Sequence, residues 1–234
     1  DGTTVIGNFT IDSATGQVTF TPTDKSYTGA VTPVQVQAES SNGIKVDTTY
    51  TPEIVPVSPT ATPAESTDIQ GATQTGKPEF QGGTVTVDGV DKTVAINEAV
   101  PATFDDGTKT KTIPNVGTYT VAADGTVTFV PEKSFVGTAP AVTVVREDMN
   151  GTKAQATYTP TVTPVKPTAD PATSTGKQGQ EQTGKPVFTE GNSRVPMNDR
   201  VAATFDDGST TKTVEGVGTY TVAPDGTVTF VPEK

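Results

Sequence analysis

The chain has no cysteine, no histidine, no tryptophan and no leucine. The absence of cysteine excludes disulfides, thiolate metal sites, cysteine nucleophiles and thioester cross-links within these residues. Small secreted animal domains usually depend on disulfides, so an extracellular reading points to the cysteine-poor bacterial kind. Without histidine or cysteine, nucleophilic catalysis would rest on a serine served by a lysine base. Cations are scarce as well: 16 Lys and Arg stand against 27 Asp and Glu, for a net charge of −11 and a pI near 4.4. Nucleic acid needs clustered cations to neutralise phosphates, so it is excluded as a partner. No apolar run approaches the roughly 18 residues that a membrane-spanning helix needs, which excludes membrane insertion by that route.

Threonine, in contrast, makes up about a fifth of the residues, while hydrophobic content is 32% and aromatic content 6%. Threonine is β-branched and suits a half-exposed pleated surface, so the composition favours thin β-rich modules. An acidic, polar surface of this kind suits a soluble, self-repelling polymer.

The strongest positive signal is internal repetition. The segment VGTYTVAADGTVTFVPEK at 116–133 returns at 217–234 with a single difference, Ala123 against Pro224, after 101 positions. A diverged third copy, GNFTIDSATGQVTFTPTDKSYTGA, begins at Gly7. Such a period marks one folded unit copied in tandem. The expected organisation is the C-terminal half of a repeat at 1–52, a Pro/Thr-rich linker at 53–75 and a complete repeat at 76–160. A second Pro/Thr/Gly-rich linker at 161–183 and the N-terminal portion of a further repeat at 184–234 follow. The two linker stretches align without a gap. Their early prolines favour extended backbone and their later Gly, Gln and Ser favour flexibility, so each reads as a spacer of fixed length.

Within the complete unit, Tyr119, Val121, Val127 and Phe129 alternate with threonines, the period-2 pattern of strands with one buried face. Strands are expected at 79–80, 84–87, 93–96, 102–104, 108–113, 118–121, 126–130, 141–146 and 153–159. Asp-Gly and Asn-Gly pairs at Asp88, Asp106, Asp124, Asn150, Asp207, Asp225 and Asn42 read as two-residue type I′ hairpin turns. So many short strands and turns predict an all-β fold of tandem antiparallel β-sandwiches, immunoglobulin-like in outline and joined by the Pro-rich linkers. The insertion QGGTVTVDGVDK, which lengthens 76–107 relative to 184–208 by seven residues, reads as a surface loop or peripheral hairpin.

All 14 aromatics occupy repeat-equivalent positions, which assigns them to core packing, with Tyr158 beside Pro160 as the best candidate for an exposed contact. Asp105-Asp106 and Asp206-Asp207, and the cluster Glu147, Asp148 and Asn150, have carboxylates suited to calcium, but each sits in a turn and none has the D-x-D-x-D-G spacing. Lys77, Lys109, Lys111 and Lys153 are available for an isopeptide bond to Asn or Asp, though none lies in an apolar run. The sequons at Asn8 and Asn150 permit glycosylation only in a suitable host. No catalytic, cofactor-binding or metal-ligating residue is assigned.

The motif GTYTVAADGTVTFVPEKSFVGTAPAVTV at 117–144, followed by Tyr-Thr-Pro at Tyr158, resembles the CshA-type fibril repeats of streptococcal cell-wall-anchored surface adhesins. The resemblance is close from Gly117 onward and looser in the first copy, which has Thr21-Pro22-Thr23-Asp24 where the second has Val130-Pro131-Glu132. It implies a long extracellular polypeptide whose repeats build a stalk. It further implies a sorting signal for the wall and a distal region that binds host matrix proteins such as fibronectin, both outside these residues. The partners of the repeats themselves would then be neighbouring repeats. A second reading, multivalent low-affinity binding by the repeats to host protein, glycan or other bacteria, stays open at this stage.

Overall fold

A computed structural model describes residues 5–233. Contacts divide the chain into two units, one comprising residues up to 68 together with 72–162, the other 69–71 with the residues from 163 onward. All regular structure among the described residues is strand, and the hairpins and sheet neighbours pair predominantly antiparallel.

The first unit opens with half a repeat. β1 (Gly7–Ile11) and β2 (Val18–Pro22) form a hairpin, β3 (Gly29–Ala30) pairs with β6 (Glu53–Ile54), and β4 (Val34–Glu39) pairs with β5 (Lys45–Tyr50). Phe9 and Phe20 face each other across the first hairpin with ring centroids 4.9 Å apart.

The complete repeat follows. Its strands are β7 (Thr60–Thr62), β8 (Ala64–Ile69), β9 (Gln74–Gly76), β10 (Glu79–Gln81), β11 (Gly83–Val87), β12 (Val90–Val94) and β13 (Thr103–Phe104). They continue with β14 (Thr110–Ile113), β15 (Gly117–Val121), β16 (Val127–Pro131), β17 (Gly137–Thr138), β18 (Val142–Glu147) and β19 (Lys153–Thr163). One sheet runs β14-β15-β16-β9; the other runs β13-β18-β19-β17, with β8 also on β19. The alternation read in the sequence is realised here. Tyr119, Val121, Val127 and Phe129 from the first sheet meet Phe104, Val142, Val144, Tyr158 and Val162 from the second, and all are buried. Each such large side chain removed from water contributes about 1.5–3 kcal/mol. The insertion at 81–92 supplies most of the separate hairpin β11-β12, as its variable length implies.

The spacer reading of 53–75 fails on these pairings. That segment contains β7, which pairs with β10, β8, which pairs with β19, and β9, which forms an edge of the sandwich through β16. Extended, proline-rich backbone is as compatible with an edge strand as with a spacer, and the deciding factor is the long-range partners. The repeat boundary at 76 is corrected accordingly. The second stretch, 161–183, likewise holds the end of β19, all of β20 (Thr168–Asp170), and the start of β21 (Gln182–Gly184).

In the second unit β20 pairs with β22 (Val187–Thr189), while β21 lies beside β25 (Val228–Pro232) in a sheet ordered β21-β25-β24-β23, where β23 is Thr211–Val214 and β24 is Gly218–Val222. Its registers repeat those of the first sheet of the complete repeat.

The hairpin turns differ from expectation. Only Asp88-Gly89 has both central residues at positive φ, 51° and 75°. At Asp124-Gly125 the amide of Gly125 donates to Ala122 O (3.0 Å) and that of Ala122 to Thr126 O (2.8 Å), which makes a three-residue loop with glycine alone at positive φ. Asp106-Gly107, Asn150-Gly151, Asp207-Gly208, Asp225-Gly226 and Asn42-Gly43 show the same pair of bonds. The aspartate side chain explains the choice at Asp124: its carboxylate accepts the Thr126 amide at 3.0 Å, stabilising a type I turn in which Asp keeps ordinary φ.

Candidate functional site

The acidic turns are occupied by lysines. Lys111 Nζ contacts Asp105 and lies 3.3 Å from Asp106 Oδ2, over the Phe104 ring at 5.6 Å from its centroid. Lys212 makes the same contacts to Asp206, Asp207 and Phe205. The hydrogen bonds that the Lys111 ammonium donates to Asp105 and then to Asp106 hold it above its ordinary pKa. Asp106 is held below the carboxylate range chiefly by the Thr108 hydroxyl and amide. Each acid pair is therefore a turn in which two carboxylates share one lysine of β14 or β23. Among the described residues no group of three or more acidic, His or Cys side chains converges as a metal site.

The third acidic cluster separates in space. Asp148 is fully buried, and its Oδ1 accepts the amides of Asn150 and Thr152, which shapes the β18-β19 turn. Glu147 instead sits opposite Lys153 in register. Arg146, two residues before Asp148 on the same strand face, is also buried and donates from Nη2 to Glu98 at 2.9 Å. The candidate isopeptide lysine Lys77 makes a 2.8 Å ion pair with Asp124, both side chains more than half exposed; Lys185 and Asp225 repeat it at 2.9 Å. Asp225 is lowered to about 2, first by the Lys185 hydrogen bond, and Asp124 is lowered by Lys77 in the same way. Open water around these groups is the opposite of the apolar setting that amide formation would need.

Tyr158 is not an exposed contact. It is fully buried, and its hydroxyl shares a 2.6 Å hydrogen bond with Ser66 Oγ. Ser66 donates to Gln74 Oε1 (2.6 Å), and Gln74 Nε2 donates to Thr161 O (3.0 Å). This network fastens β8 and β9 to β19. Gly76 leaves room for the ring: a Cβ there would stand 2.1 Å from it. Burial pushes the Tyr158 phenol above its ordinary pKa, and it does the same to Tyr119, whose hydroxyl donates to Pro140 O at 2.8 Å. Ser66 and Gln74 escaped the sequence reading because they lie in the presumed spacer. The available signal was their recurrence as Ser174 and Gln182, which are joined by a 2.9 Å hydrogen bond.

The family model for the surface adhesin CshA repetitive domain matches residues 2–54, 56–162 and 164–234. The chain belongs to the CshA repeat family. Repeat domain 13 of the fibrillar adhesin CshA from Streptococcus gordonii, solved by NMR, is 60% identical over 29% of this chain and 86% of that one, at a TM-score of 0.18. Likenesses of 14% identity to the N-terminal eight Ig domains of Down Syndrome Cell Adhesion Molecule (all of this chain, 32% of that one, TM-score 0.29) and of 9% to Protocadherin Gamma B7 cadherin domains 1–4 (99% and 64%, TM-score 0.31) carry no weight beyond the strands already described. No curated protein matches the chain. As a surface adhesin repeat, the chain is part of an extracellular cell-surface protein. The CshA repeats match end to end with one residue, 55 or 163, between successive matches.

Proposed function

We propose that the chain is a length of adhesin stalk: structural, non-catalytic repeats that carry a distal adhesive region away from the cell wall to which the polypeptide is anchored. The observation that carries this reading is the tiling. Repeats that abut with single residues between them, and whose proline-rich segments are folded into the sandwich, add length as folded matter. The turn chemistry agrees with it, since the acidic pairs are engaged by neighbouring lysines. Net negative charge discourages lateral collapse, within a Debye length of roughly 8 Å at physiological salt. In this reading the repeats' partners are neighbouring repeats, and host matrix is met by regions outside these residues.

Small-angle X-ray scattering on one, two and four copies of 56–162 tests the proposal. Maximum dimension should rise by a nearly constant step per copy. Dimensions that fail to grow with copy number would contradict it.

A further inference from the structure

The complete repeat, 56–162, opens and closes on neighbouring strands. β8, near its start, pairs with β19, which ends it. Ser66 Oγ shares a hydrogen bond with the Tyr158 hydroxyl, and further along the Gln70 amide donates to Thr163 O at 2.8 Å. Residue numbers rise together on the two strands, so β8 and β19 run parallel, unlike the hairpins around them. The join continues past the strand ends, where the Val165 amide donates to Gln70 Oε1 at 3.3 Å. β7, held to β10 by three residue pairs, precedes this join and lies outside it.

That direction decides what tension does to the repeat. A chain pulled from its two ends draws β8 back from its start and β19 forward from its end, so the two parallel neighbours are forced to slide past one another. Their hydrogen bonds lie across the strands, and sliding loads all of them together. Antiparallel terminal strands would instead open from one end, a bond at a time. Side chains add to the resistance. Ser66 binds the Tyr158 hydroxyl, Gln74 Nε2 reaches Thr161 O at 3.0 Å, and the Tyr158 ring fills the space above Gly76. Each of these links ties the entering segment to the leaving strand.

We propose that the β8-β19 pair is a tension clamp that keeps the middle repeat folded while the chain is pulled along its length, with Ser66 and Tyr158 as its latch. The clamp rests on the stalk reading for its use, because a stalk between wall and tip is what carries such a load. It adds to that reading a load-bearing role for the proline-rich segment: β8 is the strand through which force enters the fold.

Single-molecule force spectroscopy on the whole chain tests this. Held by tags at its two termini, the chain should show a force peak followed by a gain of about 300 Å, the extended length of 64–163 less its folded span. The chain has no cysteine, so Lys153→Cys supplies a unique second handle at the exposed start of β19. Pulling between the N-terminus and that handle peels β19 from β8 at their common end, and the middle repeat should then yield at a several-fold lower force. With the chain held by its termini, Ser66→Ala should lower the peak. Val121→Ala removes buried methyl groups on β15, which pairs with neither strand, so it should lower the urea midpoint while changing the peak less than Ser66→Ala does. Forced unfolding reads the unfolding barrier and not the equilibrium stability, which separates the two variants. Equal forces in the two geometries, no resolved peak between the termini, or a peak more sensitive to Val121→Ala than to Ser66→Ala overturns the proposal. The stalk reading is unaffected by that outcome, since it rests on length against copy number.

Discussion

Removing the Ser66 hydroxyl should cost the middle repeat more than removing the tyrosine hydroxyl it binds. Tyr158→Phe deletes one hydrogen bond and leaves Ser66 paired with Gln74. The expected loss is about 1 kcal/mol. Ser66→Ala leaves both Tyr158 Oη and Gln74 Oε1, on side chains 0% and 4% exposed, without their donor or acceptor. Orphaned buried groups cost about 1–3 kcal/mol each, partly recovered by water at half-buried Ser66, so a net loss of about 2 kcal/mol is expected. Once Ser66 is alanine, Tyr158→Phe removes an orphan and should be neutral or stabilising, so the two changes are strongly coupled. A urea titration of the whole chain, read from the Tyr119 and Phe129 ring resonances, isolates this repeat. With a slope of about 1–3 kcal/mol per molar urea, Ser66→Ala should move the midpoint by about 1 M. Additive effects, or a larger loss for Tyr158→Phe, would refute the network.

Gly117→Ala should destabilise the repeat by more than about 2 kcal/mol, since φ there is 154° and a Cβ would stand 2.4 Å from Val130 O; the neighbouring exposed Val130→Thr should change stability by less than about 0.5 kcal/mol in the same titration. Alkali should unfold the chain. Burial raises the folded-state pKa of Tyr119 and Tyr158 above the ordinary 10.0, so the stability they supply is complete below that pH and falls above it. The slope should be about 1.4 kcal/mol per pH unit per tyrosine, and phenolate absorbance should appear together with loss of circular dichroism. Lys111→Met should shift the midpoint only slightly, because exposed ion pairs contribute about 0–1 kcal/mol. The Lys77–Asp124 contact should persist as pH falls through the ordinary carboxylate value of 3.8 and weaken only well below it, and the Lys77 Nζ resonance reports it.

The strands of the complete repeat were legible where one face alternates strictly, as at Tyr119 to Val121 and Val127 to Phe129, because burial on one side imposes a period of two. Recurrence placed Phe104, Tyr119, Phe129 and Tyr158 correctly in the core, whereas the likewise recurring Tyr50 and Phe188 are 37% and 52% exposed. β8 and β9 were not legible. AESTDI and QTG have neither alternation nor strong apolar content, and they form strands because β19 and β16 offer partners far along the chain. The alternative of an exposed Tyr158 fails for a related reason, since a tyrosine beside a proline looks like a strand end until β19 is seen to run on to Thr163. Type I′ turns were overestimated because dipeptide identity does not report loop length. The acidic pairs were rightly read as turns, but their lysine partners, five or six residues away on the next strand, are a property of the folded hairpin.

The account turns on 56–75 being an integral part of the sandwich. Hydrogen exchange of the intact chain, resolved by peptide, measures this directly. Amides of β8 and β9 should exchange on the timescale of β16 and β19, the strands they pair with. Exchange in 64–76 as fast as in an unstructured peptide, beside slow exchange in 117–131, would restore a spacer between repeats and contradict the contiguous stalk.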